Sequence, residues 1–285
     1  MNYSNKKILQ IDLSRKEFEI KTYPELVPFV GGLALGLKLA EMNKDAEDFL
    51  CFAIGPLNGL FPSVSKTCIV SYSGRASGLK TFYIGGALSS RLKFTGFDAV
   101  TLTGSASDIV YVRINPEGAA FSDSPDALDQ WNLPGRNSCF SLNEKSLLLD
   151  KYFMSGDSLL VRIFGRKNIG GLVVNSTLNM SLEDFSRYEK LYKELLDKIK
   201  KLKVMYGDSP SCVECPFGCG RSQIGESEGN ILAHCLVACD FVSDIYSDLG
   251  IVFSCLNALG YEYKHEDLEL LPDIVLRLIK DLTSS

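Results

Sequence analysis

Three thiols fall within one short stretch of this 285-residue chain, at Cys212, Cys215 and Cys219, in the spacing C-x2-C-x3-C. Few folds concentrate cysteine this way by chance, and clustered cysteines in a reducing compartment lean toward metal rather than disulfide. Cysteine thiolates are the standard ligands of iron–sulfur clusters, and one loop can present several sulfurs to neighbouring irons. Pro216 and Gly218 suit a chain that turns tightly around such a core, and Arg221 is placed to balance its negative charge. Zinc is the competing metal, but it takes four ligands, often as two separated pairs. No second pair exists here, so Cys235 or Cys239 would have to supply a fourth. A third reading is that these cysteines hold no metal. A four-iron cluster also takes about four protein ligands. The in-chain candidates for the fourth are Cys235, Cys239 and Cys255, and a partner chain is another source. Each of the three lies among apolar neighbours on an expected helix, so each also reads as a small buried hydrophobe.

Nine cysteines stand beside only two histidines, His234 and His265, which excludes a multi-histidine metal centre. Both histidines come late, and no Ser-His-Asp arrangement is visible. Gly31–Gly36 lacks dinucleotide-site spacing, and no GxxxxGK[ST] phosphate loop is present. The net charge of −5 and the absence of a Lys/Arg block set nucleic acid aside as a partner. No run approaches the ~18 apolar residues of a membrane span. Met1–Lys7 is polar with no apolar stretch behind it, so a cytoplasmic protein is expected.

The first 180 residues read as strands separated by glycine-rich turns. Lys7–Leu13 and Glu17–Tyr23 form an expected hairpin, followed by a helix in Val27–Met42. Strands are expected at Phe49–Ile54, Thr67–Tyr72, Asp98–Thr103, Ile109–Ile114, Leu159–Ile163 and Gly171–Val174. Gly78–Gly86 reads as a loop and Ala87–Lys93 as a short helix. The character changes at Ser181, where Ser181 and Asp184 resemble a capping box. Phe185, Tyr188, Leu191, Leu195, Ile199 and Leu202 then recur at helical spacing. Further helices are expected at Ala233–Tyr246, Gly250–Leu259 and Leu268–Leu282. The expected class is α+β: a two-sheet, β-rich platform over 1–180 and a smaller helical segment over 181–285 carrying the cysteines.

The cysteine stretch resembles the CxxCPxxCGR segment of the aldehyde ferredoxin oxidoreductase family, and other blocks follow in family order. Lys7–Leu13 resembles the opening hairpin, Gly31–Gly36 the GGRGLG stretch and Gly55–Gly59 the GPLTG stretch. Gly85-Gly86 and Leu92–Ala99 resemble the SGG and LKFAGYDA blocks, and Gly225–Gly229 the GETEG stretch. The resemblance runs from about residue 6 to residue 263 and implies a two-sheet platform for a tungsten–molybdopterin cofactor, with helical domains carrying a 4Fe–4S cluster. The implied reaction is oxidation of an aldehyde to a carboxylic acid, with electrons passed to ferredoxin. By resemblance, Cys212, Cys215 and Cys219 are cluster ligands, while Lys66, Gly85, Gly86 and Asn257 occupy pterin-binding positions.

Departures from the pattern concentrate at those positions. The family arginine falls on Lys66, which keeps the charge and loses the planar fork. The family asparagine before SGG falls on Tyr83, the GGRGLG arginine on Leu33, and the aspartate of the first DxxGL motif on Asn257. The RGGxGAVMG loop is not recognisable beyond Gly165–Asn168, and the acidic GPEYE pair has no counterpart in Gly229–Ala233. Family members are about twice as long, so a fourth cysteine and a second DxxGL motif are expected elsewhere. Three functions follow: part of a split enzyme completed by a separate second-half chain; a non-catalytic iron–sulfur or scaffolding relative that forms a homodimer or pairs with a full-length homologue; or a remnant that binds nothing.

Overall fold

The computed structural model describes the chain apart from residues 1–3, 47, 74–77, 144–145, 155–157, 181, 183, 205–206, 208–209, 220–229 and 285. Ser181, Arg221 and Gly225–Gly229 therefore lie outside the described residues. The class is α+β, with two mixed six-stranded sheets and helices gathered mainly against one of them.

In the first sheet β1 (Lys6–Asp12) and β2 (Glu17–Tyr23) form the hairpin, and β1 also pairs in parallel with β6 (Ala99–Thr103). β3 (Phe49–Ala53), β4 (Thr67–Ser73) and β5 (Gly78–Ile84) complete the order β2-β1-β6-β3-β4-β5. The second sheet contains β7 (Val110–Asn115), β8 (Gly118–Ser122), β9 (Asn137–Leu142), β10 (Leu147–Leu149), β11 (Phe153–Met154) and β12 (Ile169–Asn175), in the order β11-β10-β9-β12-β7-β8.

Side-chain alternation along the first sheet builds two cores. Leu9, Ile11, Leu50, Phe52, Ile69, Val100 and Leu102 pack toward the second sheet, where Val112, Ile114, Phe140, Leu172 and Val174 meet them. Their neighbours on the opposite face (Ile8, Cys51, Ala53, Cys68, Val70) are covered by α1 (Gly32–Met42) and the late helices. The helical part and the outer face of the first sheet thus share one apolar core.

Two elements differ from the sequence reading. Gly78–Gly86 is a strand as far as Ile84, paired with β4 from Thr67↔Ile84 to Ser73↔Gly78. Its Thr81-Phe82-Tyr83-Ile84 run is rich in β formers, and its glycines stand at the ends. Leu159–Ile163 is helical, not extended. Short helices α2 (Leu88–Lys93) and α3 (Ala127–Gln130) precede it, and it lies in α4 (Ser158–Arg166). Leu160, Ile163, Phe164 and Lys167 are buried while Arg162, Gly165 and Arg166 are exposed, a 3.6-residue period that a five-residue window hides. Phe164 meets Phe52 edge-on and Phe140 at a tilt, with centroids 6.3 and 5.6 Å away.

α5 (Phe185–Lys200) begins at an Asp184 cap whose side chain accepts from the Arg187 N–H. Leu195 and Ile199 are buried, but Phe185 is 62% exposed, so the apolar stripe is only partly used. After the cysteine stretch come α6 (Ile231–Leu236), α7 (Ser243–Tyr246), α8 (Leu249–Ala258), α9 (His265–Glu269) and α10 (Leu271–Thr283). No described helix is long and apolar enough to cross a membrane.

Lys93 at the end of α2 is buried and donates to the Tyr261 hydroxyl at 2.9 Å, joining the first sheet's periphery to the chain after α8. Burial pulls its ammonium down to about 8, against the attraction of Asp98 and with the help of Lys6. In this case the folded state gives up its proton before the unfolded chain does. The penalty is therefore complete below pH 8 and fades as pH rises toward the unfolded lysine value. Urea titrations of wild type and Lys93→Met at pH 7 and pH 9.5 should show the wild type gaining on the order of 1–2 kcal/mol relative to the variant. Parallel pH curves would contradict this reading, since thiol and tyrosine ionisation is common to both proteins.

Candidate functional site

The connection between β3 and β4 is the anchor of the cysteine region. It is tied internally by Asn58, whose Oδ1 accepts from the Gly55 N–H at 2.5 Å and whose Nδ2 donates to the carbonyls of Val64 (2.8 Å) and Lys66 (3.1 Å). The late half of the chain then bonds to it repeatedly. The Tyr188 hydroxyl donates to the Leu60 carbonyl at 2.6 Å, and the Tyr246 hydroxyl to the Pro62 carbonyl at 2.8 Å. The Ser63 N–H donates to the Glu214 carbonyl at 2.7 Å, while the Ser63 carbonyl accepts from the Cys239 N–H at 3.1 Å. The Lys66 N–H donates to the Val237 carbonyl at 3.2 Å. The cysteine loop has a second tether, from the Val213 N–H to the Gly86 carbonyl at 3.1 Å.

Three residues at these junctions have left-handed backbones: Ser63 (φ 63°), Glu214 (φ 59°) and Val237 (φ 58°). Such a conformation costs of order 1–3 kcal/mol for a residue other than glycine, most for a β-branched one, and persists only where surrounding contacts over-determine it. Val237 stops α6, so the helix expected over Ala233–Tyr246 is divided. The break aims the Val237 carbonyl and the Cys239 N–H at the Ser63–Lys66 segment.

Glycines seat this break. A Cβ on Gly31 would lie 2.5 Å from the Ile54 carbonyl oxygen, one on Gly32 2.5 Å from that of His234, and one on Gly55 2.4 Å from that of Leu236. Backbone meets backbone at each point, which only glycine permits.

Cys212 and Cys219 are each 8% exposed and Cys215 is half-buried, so the loop is neither sealed nor open to solvent. Burial pushes the Cys215 thiol up to about 11, while the Phe217 backbone and the Ser63 hydroxyl pull it back and nearby Cys212 and Cys239 push it further. Ser63 Oγ is itself buried, with the Cys215 thiol as its neighbour. Cys239 is raised chiefly by burial, lowered by the Lys66 ammonium and raised by Cys212 and Cys219. The four sulfurs and the buried Lys66 therefore share one electrostatic neighbourhood. Among the described residues, no three Cys, His, Asp or Glu side chains converge tightly enough for a single metal ion.

The other two candidates lie elsewhere. Cys235 bonds to the Ala34 backbone, is pushed up to about 12 by burial, and neighbours Cys68 and Tyr83. Cys255 is buried on α8 beside Tyr246 and is likewise pushed up to about 12. Gly86 forms a left-handed turn (φ 88°) and uses its carbonyl to hold the cysteine loop. Asn257 is exposed on the last turn of α8, and the Tyr83 hydroxyl lies 2.7 Å from His234 Nδ1.

The family model for the aldehyde ferredoxin oxidoreductase N-terminal domain matches residues 8–138. The tungsten-containing aldehyde ferredoxin oxidoreductase of Pyrococcus horikoshii is 22% identical over 306 aligned positions, covering 78% of this chain and 50% of that protein. The chain is thus similar to the aldehyde ferredoxin oxidoreductases over most of its length, at low identity. It spans about half the length of the aldehyde ferredoxin oxidoreductases it matches most extensively. The WOR-like subunit of an aliphatic sulfonate oxidoreductase from Pyrococcus furiosus is 30% identical over 143 positions, covering 46% of this chain and 22% of that protein. Among solved structures, the active-site complex BamBC of benzoyl coenzyme A reductase matches with a TM-score of 0.62 at 21% identity, over 72% of this chain and 37% of that one, which establishes the shared fold.

Two family blocks thus do structural work in this chain. Gly31-Gly32 and Gly55 receive the 234–237 backbone. Residues that no motif pointed to, Ser63, Val237 and the tyrosines at 188 and 246, hold the cysteine loop against the platform. Gly55→Ala should cost about 1–3 kcal/mol by forced overlap alone. Gly165→Ala, in open space on α4, should instead stabilise by about 0.5–1 kcal/mol. Denaturant midpoints of the two variants check the seat; equal effects would remove it.

Proposed function

We propose that this chain is the cluster-holding part of an oxidoreductase of the aldehyde ferredoxin oxidoreductase type. Cys212, Cys215 and Cys219 are its thiolate ligands for a 4Fe–4S cluster. The observation that carries this reading is one loop bearing three thiols, two buried and one half-buried, while its backbone is fixed at Ser63 and Gly86. A tetrahedral zinc needs sulfurs roughly 3.8 Å apart, given Zn–S bonds of about 2.3 Å. A cube places each thiolate on a different iron and so spreads them wider.

When bound, a cluster supplies one-electron transfer, here toward a ferredoxin-type acceptor. The residues of this chain hold and tune it. Lys66 would place a buried positive charge beside the anionic centre, and the Ser63 hydroxyl would lie against the Cys215 sulfur. In the family-type reaction, an aldehyde and water give a carboxylic acid, two protons and two electrons, and the chain's place is on the electron path.

The residues at the tungsten–molybdopterin positions do not fit a doubly phosphorylated ligand. Asn257 is neutral and exposed, and the Tyr83 hydroxyl is committed to His234. Burying the phosphates without partners would be costly. We therefore assign aldehyde oxidation to an assembly in which a separate second-half chain or a full-length homologue carries the pterin. Two similar proteins, a WOR-like subunit and an active-site complex, are parts of assemblies, which supports this arrangement.

Elemental analysis of the anaerobically prepared chain should give about four irons with matching sulfide and no stoichiometric tungsten. Cys215→Ser should lose most of that iron. Zinc alone, no metal, or iron retained in full by Cys215→Ser would overturn the reading.

A further inference from the structure

We propose that the cleft between the start of β1 and the chain after α8 is a binding site for a small organic carboxylate that carries an apolar group. The proposal is independent of the iron–sulfur reading. Neither the cysteine loop nor Lys66, Gly85, Gly86 and Asn257 line this cleft.

Segments far apart in sequence build it. β1 supplies Lys7, the stretch from α2 to β6 supplies Lys93, Phe97 and Asp98, and Tyr261 comes from the chain after α8. The Leu178 N–H donates to the Phe94 carbonyl at 3.1 Å, which brings Leu178 to the rim. The cleft encloses about 450 Å³, within the range of small-molecule sites.

The charge of the lining is unbalanced. Asp98 is the one carboxylate among the described lining residues, and it is already engaged. Its Oδ2 accepts from the Lys7 N–H at 2.8 Å, and its Oδ1 lies 3.8 Å from the Nζ of the buried Lys6. Lys93 is only 3% exposed and donates to the Tyr261 hydroxyl at 2.9 Å. Among the described residues, no carboxylate comes within ion-pair distance of its Nζ. The Lys7 Nζ lies over the Phe97 ring, 5.0 Å from its centroid. At pH 7 the ammonium groups of Lys6, Lys7 and Lys93 therefore share the single charge of Asp98, in a chain whose net charge is −5. An ammonium has three N–H donors, and Lys93 spends one of them on a neutral hydroxyl. Burial still penalises its charge. An anion in the cleft would supply the partner that the protein withholds.

Two features narrow the class of anion. Phe97, Tyr261 and Leu178 make part of the wall apolar, which suits a ligand with an apolar body behind its charged end. Asp98 borders the same space and repels added negative charge, so a monoanion fits better than a phosphate dianion.

Calorimetric titration of the full chain with benzoate at pH 7 tests this, with benzamide and inorganic phosphate as comparison probes. Benzoate should fill one saturable site, and both comparison probes should bind at least about tenfold more weakly. Lys93→Met should weaken benzoate by about tenfold or more. Lys7→Gln should weaken it about two- to fivefold, and Lys190→Gln, exposed on α5, should leave it unchanged. Circular dichroism checks folding of each variant. Should Lys93→Met fail to fold, Lys7→Gln, altered at a partly exposed position, decides the matter. Absence of saturable binding, equal binding of benzamide, preference for phosphate, or benzoate affinity indifferent to the lysine variants at 7 and 93 would overturn the assignment. None of these variants should change the iron content of the loaded chain, so this proposal and the cluster reading fail separately.

Discussion

The backbone of Ser63 bonds in two directions, and the rest of the site depends on it. Its N–H reaches the cysteine loop at Glu214, and its carbonyl reaches the segment after α6 at Cys239. Each bond contributes about 1 kcal/mol net, but a buried group left unpaired costs about 1–3 kcal/mol, so the arrangement is effectively obligatory. The same connection carries the bonds from Tyr188, Tyr246 and Val237 and is stiffened from within by Asn58. A loop of the β platform thereby fixes groups that are 125 or more residues distant in sequence, and the left-handed backbones at Ser63, Glu214 and Val237 mark where the fit is forced.

This arrangement explains why the platform and the helices share one core. The outer face of the first sheet is covered by α1, and α1 is covered in turn by α6 and α10, with glycines where backbones cross. On the proposed reading, a cluster at this junction would be held from both sides. An electron-carrying centre benefits from such a setting, because fixed charges and dipoles around it need little reorganisation when its charge changes. Lys66 is the clearest example, a buried cation placed where negative charge is expected.

Much of the plan was readable from residue patterns. The opening hairpin, the strands at Phe49 and Thr67, and α8 all carry local signals that the fold respects. Leu159–Ile163 misled because five apolar residues do not distinguish a strand from a helix; the burial of Phe164 and Lys167 supplies the missing period. The strands at Asn137–Leu142 and Leu147–Leu149 are rich in serine and asparagine near their ends and gave little warning. The clamp itself was invisible, because bonds from backbone N–H to carbonyl leave no trace in side-chain identity. The left-handed turn at Val237 was concealed further, since a β-branched residue argues against that conformation.

Native-state hydrogen exchange of the amides of Ser63, Lys66, Val213 and Cys239 tests the clamp most directly. If the platform loop holds both cysteine-bearing segments, these amides should exchange slowly and together, with opening energies close to that of α1. Exchange at rates typical of exposed loops, or independent opening of the 212–219 stretch while Ser63 stays protected by other contacts, would contradict the account.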